Sequence, residues 1–489
     1  MKPITNFLLL ILLTCNVGNA TEITLRSNAA QSLENSTKYL VSISTKGGYL
    51  WNYSTDLSLR AGELEAEPGQ IWVQKPGTPI VGHVFLNAFK ATGNAIHLDA
   101  ARSAARVLAD NQLESGGWFH YIETDETKRL RFHFKQNNNS KHTSSGKRIN
   151  TSSYDDENTQ NVLLFFIDYC DTVKGIMDNR DISICDAANY GLSKLLQAQY
   201  PNGAWPQKWN GINHEASSYP ISRANRPDNY PRKHVKSKYQ AAYTLNDGSH
   251  ESIINVLACA WLSTGEVKYK NASIKAGDFL LRAQMPSPQP IWAQQYNQNM
   301  EPTWARPFEP PAVTSAESVS ALRALLTVYS LTHDKKYLEA IDRAVTWFDS
   351  SKISDKTWSR FYELNTNIPI YGDHDGNIHY HINEISNERR HGYQWSGNFG
   401  YDKFIATLAV NRSPESYDKA GTRHLCSGTE NSKPRVSDDV IRRIISKQKP
   451  SGVWLTNGAP KNRRWPIKEH VSLHEITLNM RQLTNFLLQ

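Results

Sequence analysis

Gln112-Leu-Glu-Ser-Gly-Gly-Trp118 and Gln199-Tyr-Pro-Asn-Gly-Ala-Trp205 are one signal written twice. Each closes an amphipathic stretch, stops it with glycine and leaves a tryptophan on the loop that follows. Variants stand at Gln284-Met-Pro-Ser-Pro-Gln-Pro-Ile-Trp292 and Gln448-Lys-Pro-Ser-Gly-Val-Trp454, and Trp358 falls in the same place with the glutamine lost. Upstream of these signals lies a second repeat: Thr92-Gly-Asn-Ala-Ile-His, Thr264-Gly-Glu-Val-Lys-Tyr and Thr332-His-Asp-Lys-Lys-Tyr. Each is a short turn that opens an amphipathic helix, with apolar residues three and four apart. Helix hairpins recurring in this way predict an all-α chain, an α/α toroid-like barrel or an open solenoid with long irregular loops. Loops from one end of such a barrel gather into a groove. The tryptophans either line that groove, as flat apolar faces for sugar rings, or plug the ends of the hairpins.

The first twenty residues combine Lys2, an apolar run from Phe7 to Leu13 and a small residue, Ala20, before Thr21. This is the plan of a secretory signal peptide, with an apolar core too short to span a bilayer. The expected organisation is a signal peptide over 1–20 and one catalytic domain over 21–489, secreted or periplasmic, with no membrane span. A net charge of +8 suits an acidic partner. No nucleic-acid module is present, and export favours an acidic polysaccharide. Cys170, Cys185, Cys259 and Cys426 have no metal or redox spacing. Cys170 and Cys185 either bridge two antiparallel helices or remain buried thiols.

Irregular stretches interrupt the hairpins. Residues 135–153 are polar and read as a mobile loop; 217–238 are rich in proline and basic residues, with Arg223, Arg226, Arg232 and Lys233; 411–436 form a third such stretch. Gly47 to Tyr53 and Gln70 to Pro76 read as short strands or extended edges. Helical periodicity resumes after Val436, so a C-terminal hairpin over 436–489 closes the same domain.

Four stretches hold more polar groups than a turn requires. They are Ser153-Tyr-Asp155-Asp156-Glu157, Tyr243-Thr-Leu-Asn246-Asp247-Gly248, the run from Trp292 through Trp304-Ala-Arg306-Pro-Phe308-Glu309-Pro-Pro, and the run from Arg360 to Trp395. Acidic groups at a helix start also serve as caps and dipole partners. An Arg306–Glu309 pair also serves as a surface ion pair before a helix. Clustered carboxylates additionally suit a hard cation, and several arginines suit a substrate carboxylate. His374, His379, His381 and His391 match no zinc ligand pattern. No Ser-His-Asp motif, phosphate loop or dinucleotide fingerprint occurs.

In order along the chain, Tyr154-Asp155-Asp156, Asn202-Gly-Ala-Trp205-Pro-Gln207, Tyr243-Thr-Leu-Asn246-Asp247, Ala305-Arg306-Pro-Phe308-Glu309, Glu317-Ser318, Arg360-Phe-Tyr-Glu363 and Glu388-Arg389-Arg390-His-Gly-Tyr393 resemble the motifs of the pectate lyases of polysaccharide lyase family ten. The resemblance covers about residues 47–395. It implies cleavage of polygalacturonate or a related acidic polysaccharide by anti β-elimination, with Ca²⁺ as cofactor and an arginine as base. By position in the motifs the base is Arg306. Asp155 and Asp247 are the leading calcium ligands, and Asp156 and Glu309 stand behind them. Either Arg389 or Arg390 grips a substrate carboxylate; Trp205, Trp292 and Lys208 complete the candidate substrate-binding set. On this reading Arg306→Ala keeps the fold and loses activity.

The chain departs from the commonest family pattern at Gln295-Tyr296-Asn297, where a His and a carboxylate are missing, and at Asp373-His374-Asp375-Gly376, where an Arg is missing. Two other readings stand beside the lyase. One is a toroid glycoside hydrolase using Asp155 and Asp247 as its acid pair; the other is a non-catalytic module that binds acidic glycans.

Overall fold

The computed structural model describes residues 5–136, 142–143, 146–412, 426, 435–461 and 463–489. Its helices, in chain order, are α1 (Thr5–Ile43), α2 (Thr78–Thr92), α3 (Ala95–Asp110), α4 (Asn158–Val173), α5 (Asn179–Ala198), α6 (Ser249–Thr264), α7 (Val267–Ala283), α8 (Ser315–Thr332), α9 (Lys336–Ser350), the short α10 (Asn387–Gly392), α11 (Tyr401–Asn411), α12 (Asp438–Lys447) and α13 (Leu473–Leu488). Helices α2, α4, α6, α8 and α11 pack in succession, and α13 packs against α2. These form an inner set. Helices α1, α3, α5, α7, α9 and α12 stand outside it, each joined to the next inner helix by an irregular loop. The arrangement is the expected α/α toroid.

Burial separates the two sets. The inner α8 is buried around nearly its whole circumference, from Ser315 to Leu331. The outer α9 buries only Tyr337, Ala340, Ile341, Ala344, Trp347 and Phe348, a single stripe at helical spacing. One contiguous apolar core runs from Leu25 to Phe486.

The repeated turns use repeated bonds. Thr92, Thr264 and Thr332 each donate through Oγ1 to the carbonyl four residues back, at Ala88, Ala260 and Val328. The residue after each is left-handed: Gly93, Gly265 and His333. The Gln–Trp signal is equally regular. Trp118, Trp205, Trp358 and Trp454 donate their indole N–H to the carbonyl ten residues back, and Trp292 to the one twelve back. Gln112 donates from Nε2 both to its own loop at Gly116 and to Ala187 of α5. Gln199 does the same to Gly203 and Ala272 of α7, and Gln284 to Pro290 and Ala340 of α9.

The last of the set shows how the ring closes. Gln448 donates to Gly452 in its own loop and to Ser32 of α1. The N-terminal helix therefore takes the place that α5, α7 and α9 take for the earlier glutamines. Close approach is required at these junctions. Gly203 (φ +102°) would place a Cβ 2.3 Å from the Lys275 carbonyl, and Gly452 (φ +91°) 2.3 Å from that of Asn35. Strands seal the same junction: Asn52–Ser54 pairs antiparallel with Glu469–Ser472, Asn52 facing Ser472. The residues after α1, read from sequence as extended edges, thus hold a turn at Lys46-Gly47 and short strands at Asn52–Ser54 and Gln70–Trp72.

Two disulfides link helices: Cys170 of α4 with Cys185 of α5, and Cys259 of α6 with Cys426. The expected mobile loop at 135–153 falls partly outside the described residues; its end, Ser152–Ser153, is a strand paired with Lys208–Trp209. Most of 411–436 also lies outside them.

Candidate active site

Inner helices α4 and α6 start on the same strained turn. Asp155–Glu157 and Asn246–Gly248 are single 3₁₀ turns, with Asp156 at φ 49°, ψ 27° and Asp247 at φ 50°, ψ 31°. A non-glycine residue held in the left-handed region costs on the order of 1 kcal/mol and persists where its surroundings over-determine it. Here the amides supply that constraint: Asn158 Nδ2 donates to the Asp155 carbonyl at 2.7 Å, and Gln160 Nε2 to that of Tyr154 at 2.8 Å. Structurally, Asp247 corresponds to Asp156 and Asn246 to Asp155.

The two turns present their carboxylates to each other. One oxygen from each of Asp155, Asp156 and Asp247 lies within 4.8 Å of the others. They line a cavity of about 300 Å³ that Asn158, Gln207, Lys208, Asn246, Gln294, Arg306 and Glu309 also line. Asp156 accepts from Gln74 at 2.8 Å and Asp247 from Asn246 at 2.5 Å. Burial among protein atoms, then Asp155, Glu63 and Glu157, push Asp156 up to about 6 against the attraction of Lys75. Asp247 is open to the cavity but deep within it. Desolvation there, followed by Glu317, Asp156 and Asp155, pushes it up to about 7.

The cavity also has a surplus of acceptors. Asp155 Oδ1, Asn158 Oδ1, Gln207 Oε1, Asn246 Oδ1 and Gln294 Oε1 are buried and have no hydrogen-bond partner among the described residues. Buried acceptors left open in one place call for a donor or a cation. An all-oxygen set with three carboxylates is the donor chemistry of a hard divalent ion.

Arg306 reaches the cavity from the proline-framed loop before α8. Its Nε donates to Glu309 Oε2 at 2.7 Å and its Nη2 to Oε1, a two-pronged pair. Burial works against the charge on Arg306, but the Glu309 hydrogen bond and charge outweigh it and hold the guanidinium ionised. Arg389 and Arg306 both lie on the Phe308 ring, at 4.4 and 4.8 Å from its centroid. Arg360 pairs with Glu317 at 2.9 Å and lies on the Tyr393 ring.

Several sequence expectations change. Glu309, 2 % exposed, gives both carboxylate oxygens to Arg306 and accepts from Tyr393 as well, so it is a partner of the arginine and not a cation ligand. Arg306→Ala would take the guanidinium from that buried carboxylate, so some loss of stability is expected beside the loss of activity. Arg390 turns away, donating to the Asn383 and Ile385 carbonyls, which leaves Arg389 as the guanidinium beside Arg306. Trp205 and Trp292 are 1 % and 0 % exposed and offer no face to a sugar; they are hairpin plugs.

The departures at Tyr296 and Asn297 are structural. Tyr296 donates to the Ala283 carbonyl, and Asn297 folds the following turn through Glu301. Lys208 does line the cavity. Glu63, Gln74 and His120 line it too, brought from remote loops with no motif to announce them. Burial and Lys208 lower His120 to about 4, so its imidazole is neutral.

No curated protein sequence matches the chain. Among solved structures, a family 10 polysaccharide lyase from Cellvibrio cellulosa is 22% identical over 67% of this chain and 95% of that one, with a TM-score of 0.46. A mutant of the Cellvibrio cellulosa enzyme in complex with trigalacturonic acid is 21% identical over 68% and 99%, TM-score 0.47. Cellobiose 2-epimerase from Bacillus thermoamylovorans is 11% identical over 95% and 99%, TM-score 0.46. The family model described as pectic acid lyase matches residues 287–357 and 354–404, the segment that holds Arg306, Phe308, Glu309, Arg360 and Arg389. Over that segment, about a quarter of the chain, it is similar to the pectic acid lyases, which supports a polysaccharide lyase.

Proposed function

We propose that the protein is an exported lyase that cleaves polygalacturonate, or a related acidic polysaccharide, by calcium-assisted anti β-elimination. One observation carries this reading: three carboxylates and a set of open oxygen acceptors share a single cavity with Arg306. Asp155, Asp156 and Asp247 are the residues that would hold Ca²⁺. When bound, the ion acts as a Lewis acid on the uronate carboxylate, where negative charge grows as the C5 proton leaves.

Arg389 supplies a second positive charge for a substrate carboxylate. Arg306 takes the C5 proton, the electron pair left at C5 becomes the C4–C5 double bond, and the glycosidic oxygen leaves C4 with the bonding pair and takes a proton from water. Only a neutral guanidine can take the C5 proton, and Glu309 favours the ionised form. The elimination therefore runs faster as the solution becomes more alkaline. Of the three arginine nitrogens, Nε and Nη2 are committed to Glu309; among the described residues Nη1 has no hydrogen-bond partner and is the atom free to take the proton. Two disulfides suit an oxidising compartment, in keeping with export. Among the described residues no helix is long and apolar enough to cross a membrane.

The test is continuous ultraviolet absorbance of the protein on polygalacturonate, with calcium and then with a chelator. Elimination conjugates the new double bond to the carboxylate, so a rising signal abolished by chelation is expected. The raised Asp156 and Asp247 also suit a hydrolase acid. New reducing ends without absorbance would establish that reading instead.

A further inference from the structure

The catalytic cavity does not end at Lys208. This side chain also lines two further cavities, of about 640 and 720 Å³, which share Gln240 with each other. The first of them shares Tyr239 with the catalytic cavity as well. Lys208 is held in place by a short ladder that pairs it with Ser153, a residue of the catalytic cavity two positions from Asp155. One wall is residues 147–151 and the other residues 206–241, so two irregular loops outside the helix repeat build the space.

Charge changes along this path. The catalytic end is lined by Glu63, Asp155, Asp156, Asp247 and Glu309. The middle cavity is lined by Lys208 and Lys238 and, among the described residues, by no carboxylate. The far cavity has Lys147, Arg148 and Lys208 and, among the described residues, one carboxylate, Glu114, which accepts from Asn150 at 2.7 Å. Lys147 and Lys238 are exposed and, among the described residues, make no ion pair. Tyr219, Tyr239 and Phe119 are half-buried along the same path, offering apolar faces between the cations. Spaced cations alternating with ring faces fit a linear polymer that carries one carboxylate per sugar, and each cavity exceeds the catalytic one in volume.

We propose that residues 147–151 and 206–241 form a cationic extension of the cleft that binds further uronate units of the chain, on one side of the cleaved bond. This rests on the lyase reading for its substrate class. The extension gives the enzyme its grip on long chains and has no part in the elimination itself.

The experiment compares the parent protein with Lys147→Ala/Lys238→Ala, both residues lying outside the catalytic cavity. On polygalacturonate the KM should rise about 10-fold, because the variant lacks two exposed cations that would pair with uronate carboxylates. On a trimer, kcat and KM should stay unchanged. Calorimetry in chelator, where no turnover occurs, should show affinity for oligogalacturonates rising with length in the parent and levelling off in the variant. An unchanged KM on polymer, or equal length dependence in both proteins, overturns the extension while leaving the lyase reading intact. No absorbance on any uronate polymer, with length-dependent binding kept, removes the lyase reading and supports the groove. Tighter binding of a nucleic acid than of a uronate chain of equal charge overturns the proposed occupant.

Discussion

The barrel has two kinds of loop at the same end, and they differ in what they leave unfinished. The Gln–Trp loops that close the outer helices repeat one set of bonds: the indole N–H and the glutamine Nε2 find partners from hairpin to hairpin, and the atoms left open there, such as Gln112 Oε1 and Asn202 Nδ2, are neutral. The turns that open α4 and α6 follow no such repeat of neutral bonds. They hold aspartates at positive φ, crowd three carboxylates together and leave buried acceptors open. What repeats in this chain holds the barrel together, and the chemistry sits where carboxylates are crowded and open acceptors gather in one cavity. Stability and activity should therefore separate cleanly between the two kinds of loop.

The largest separation is expected at Arg306→Lys. Lysine keeps a cation beside Glu309, which Ala would not, but loses the planar fork and the guanidine nitrogen that takes the proton. Lyase activity on polygalacturonate should fall by about 10³-fold, in the range for loss of a general base. The melting temperature should stay close to that of the parent. A variant with near-normal turnover would remove Arg306 from the chemistry.

Trp205→Ala should do the reverse. It empties a fully buried site and orphans the Leu195 carbonyl, so a loss of about 3–5 kcal/mol in denaturant unfolding is expected. The folded fraction should keep its specific activity. A large change in kcat with little loss of stability would instead restore a tryptophan role in the groove.

These two residues also show what the sequence could say. Both stand in motifs, and the toroid follows from the spacing of Trp118, Trp205, Trp292, Trp358 and Trp454, because hydrophobic period and helix stops are local signals. Which face of a tryptophan meets water is not local. It depends on the outer helix ten residues upstream and on the neighbouring hairpin, so Trp205 and Trp292 can be read as sugar platforms from sequence alone. Glu309 misleads for a similar reason: a carboxylate in a motif reads as a ligand until its partner is located three residues away. Asp155, Asp156 and Asp247 are legible because helix-start carboxylates stand out in sequence. Their equivalence, Asp247 with Asp156, needs backbone angles. Glu63, Gln74 and His120 have no signal, being carried to the cavity by strands and loops from the far side of the ring closure.

Gln448→Ala probes that closure with a smaller effect. Its amide joins the last Gln–Trp loop to Ser32 of α1, and so ties the two ends of the chain together. Two backbone carbonyls would lose a donor, for a destabilisation of about 1–3 kcal/mol. If the N-terminal helix is a true member of the outer set, hydrogen exchange should rise in α1 and α12 and hardly elsewhere. Uniform destabilisation across all helices would argue against a ring closed at this point.

The smallest effect concerns the crowded turns themselves. Asp247 sits at about 7 and Asp156 at about 6, against an unfolded value of about 3.9. Between pH 4 and 7 the folded chain therefore binds more protons than the unfolded one, and stability falls as pH rises through that window. In chelator the melting temperature should decline by a few degrees from pH 4 to 7 and level off above. Calcium must displace those protons, so its stabilising shift should be large at pH 8 and small near pH 4. Asp247→Asn removes a crowded charge and a ligand together. It should flatten the decline in chelator and reduce the calcium shift, while matching or exceeding the parent's stability without metal. An Asn variant that keeps the full calcium shift would place the cation elsewhere. A parent whose melting temperature ignores pH would mean that the three carboxylates are not strained against one another, and the contrast with the repeated loops would lose its electrostatic half.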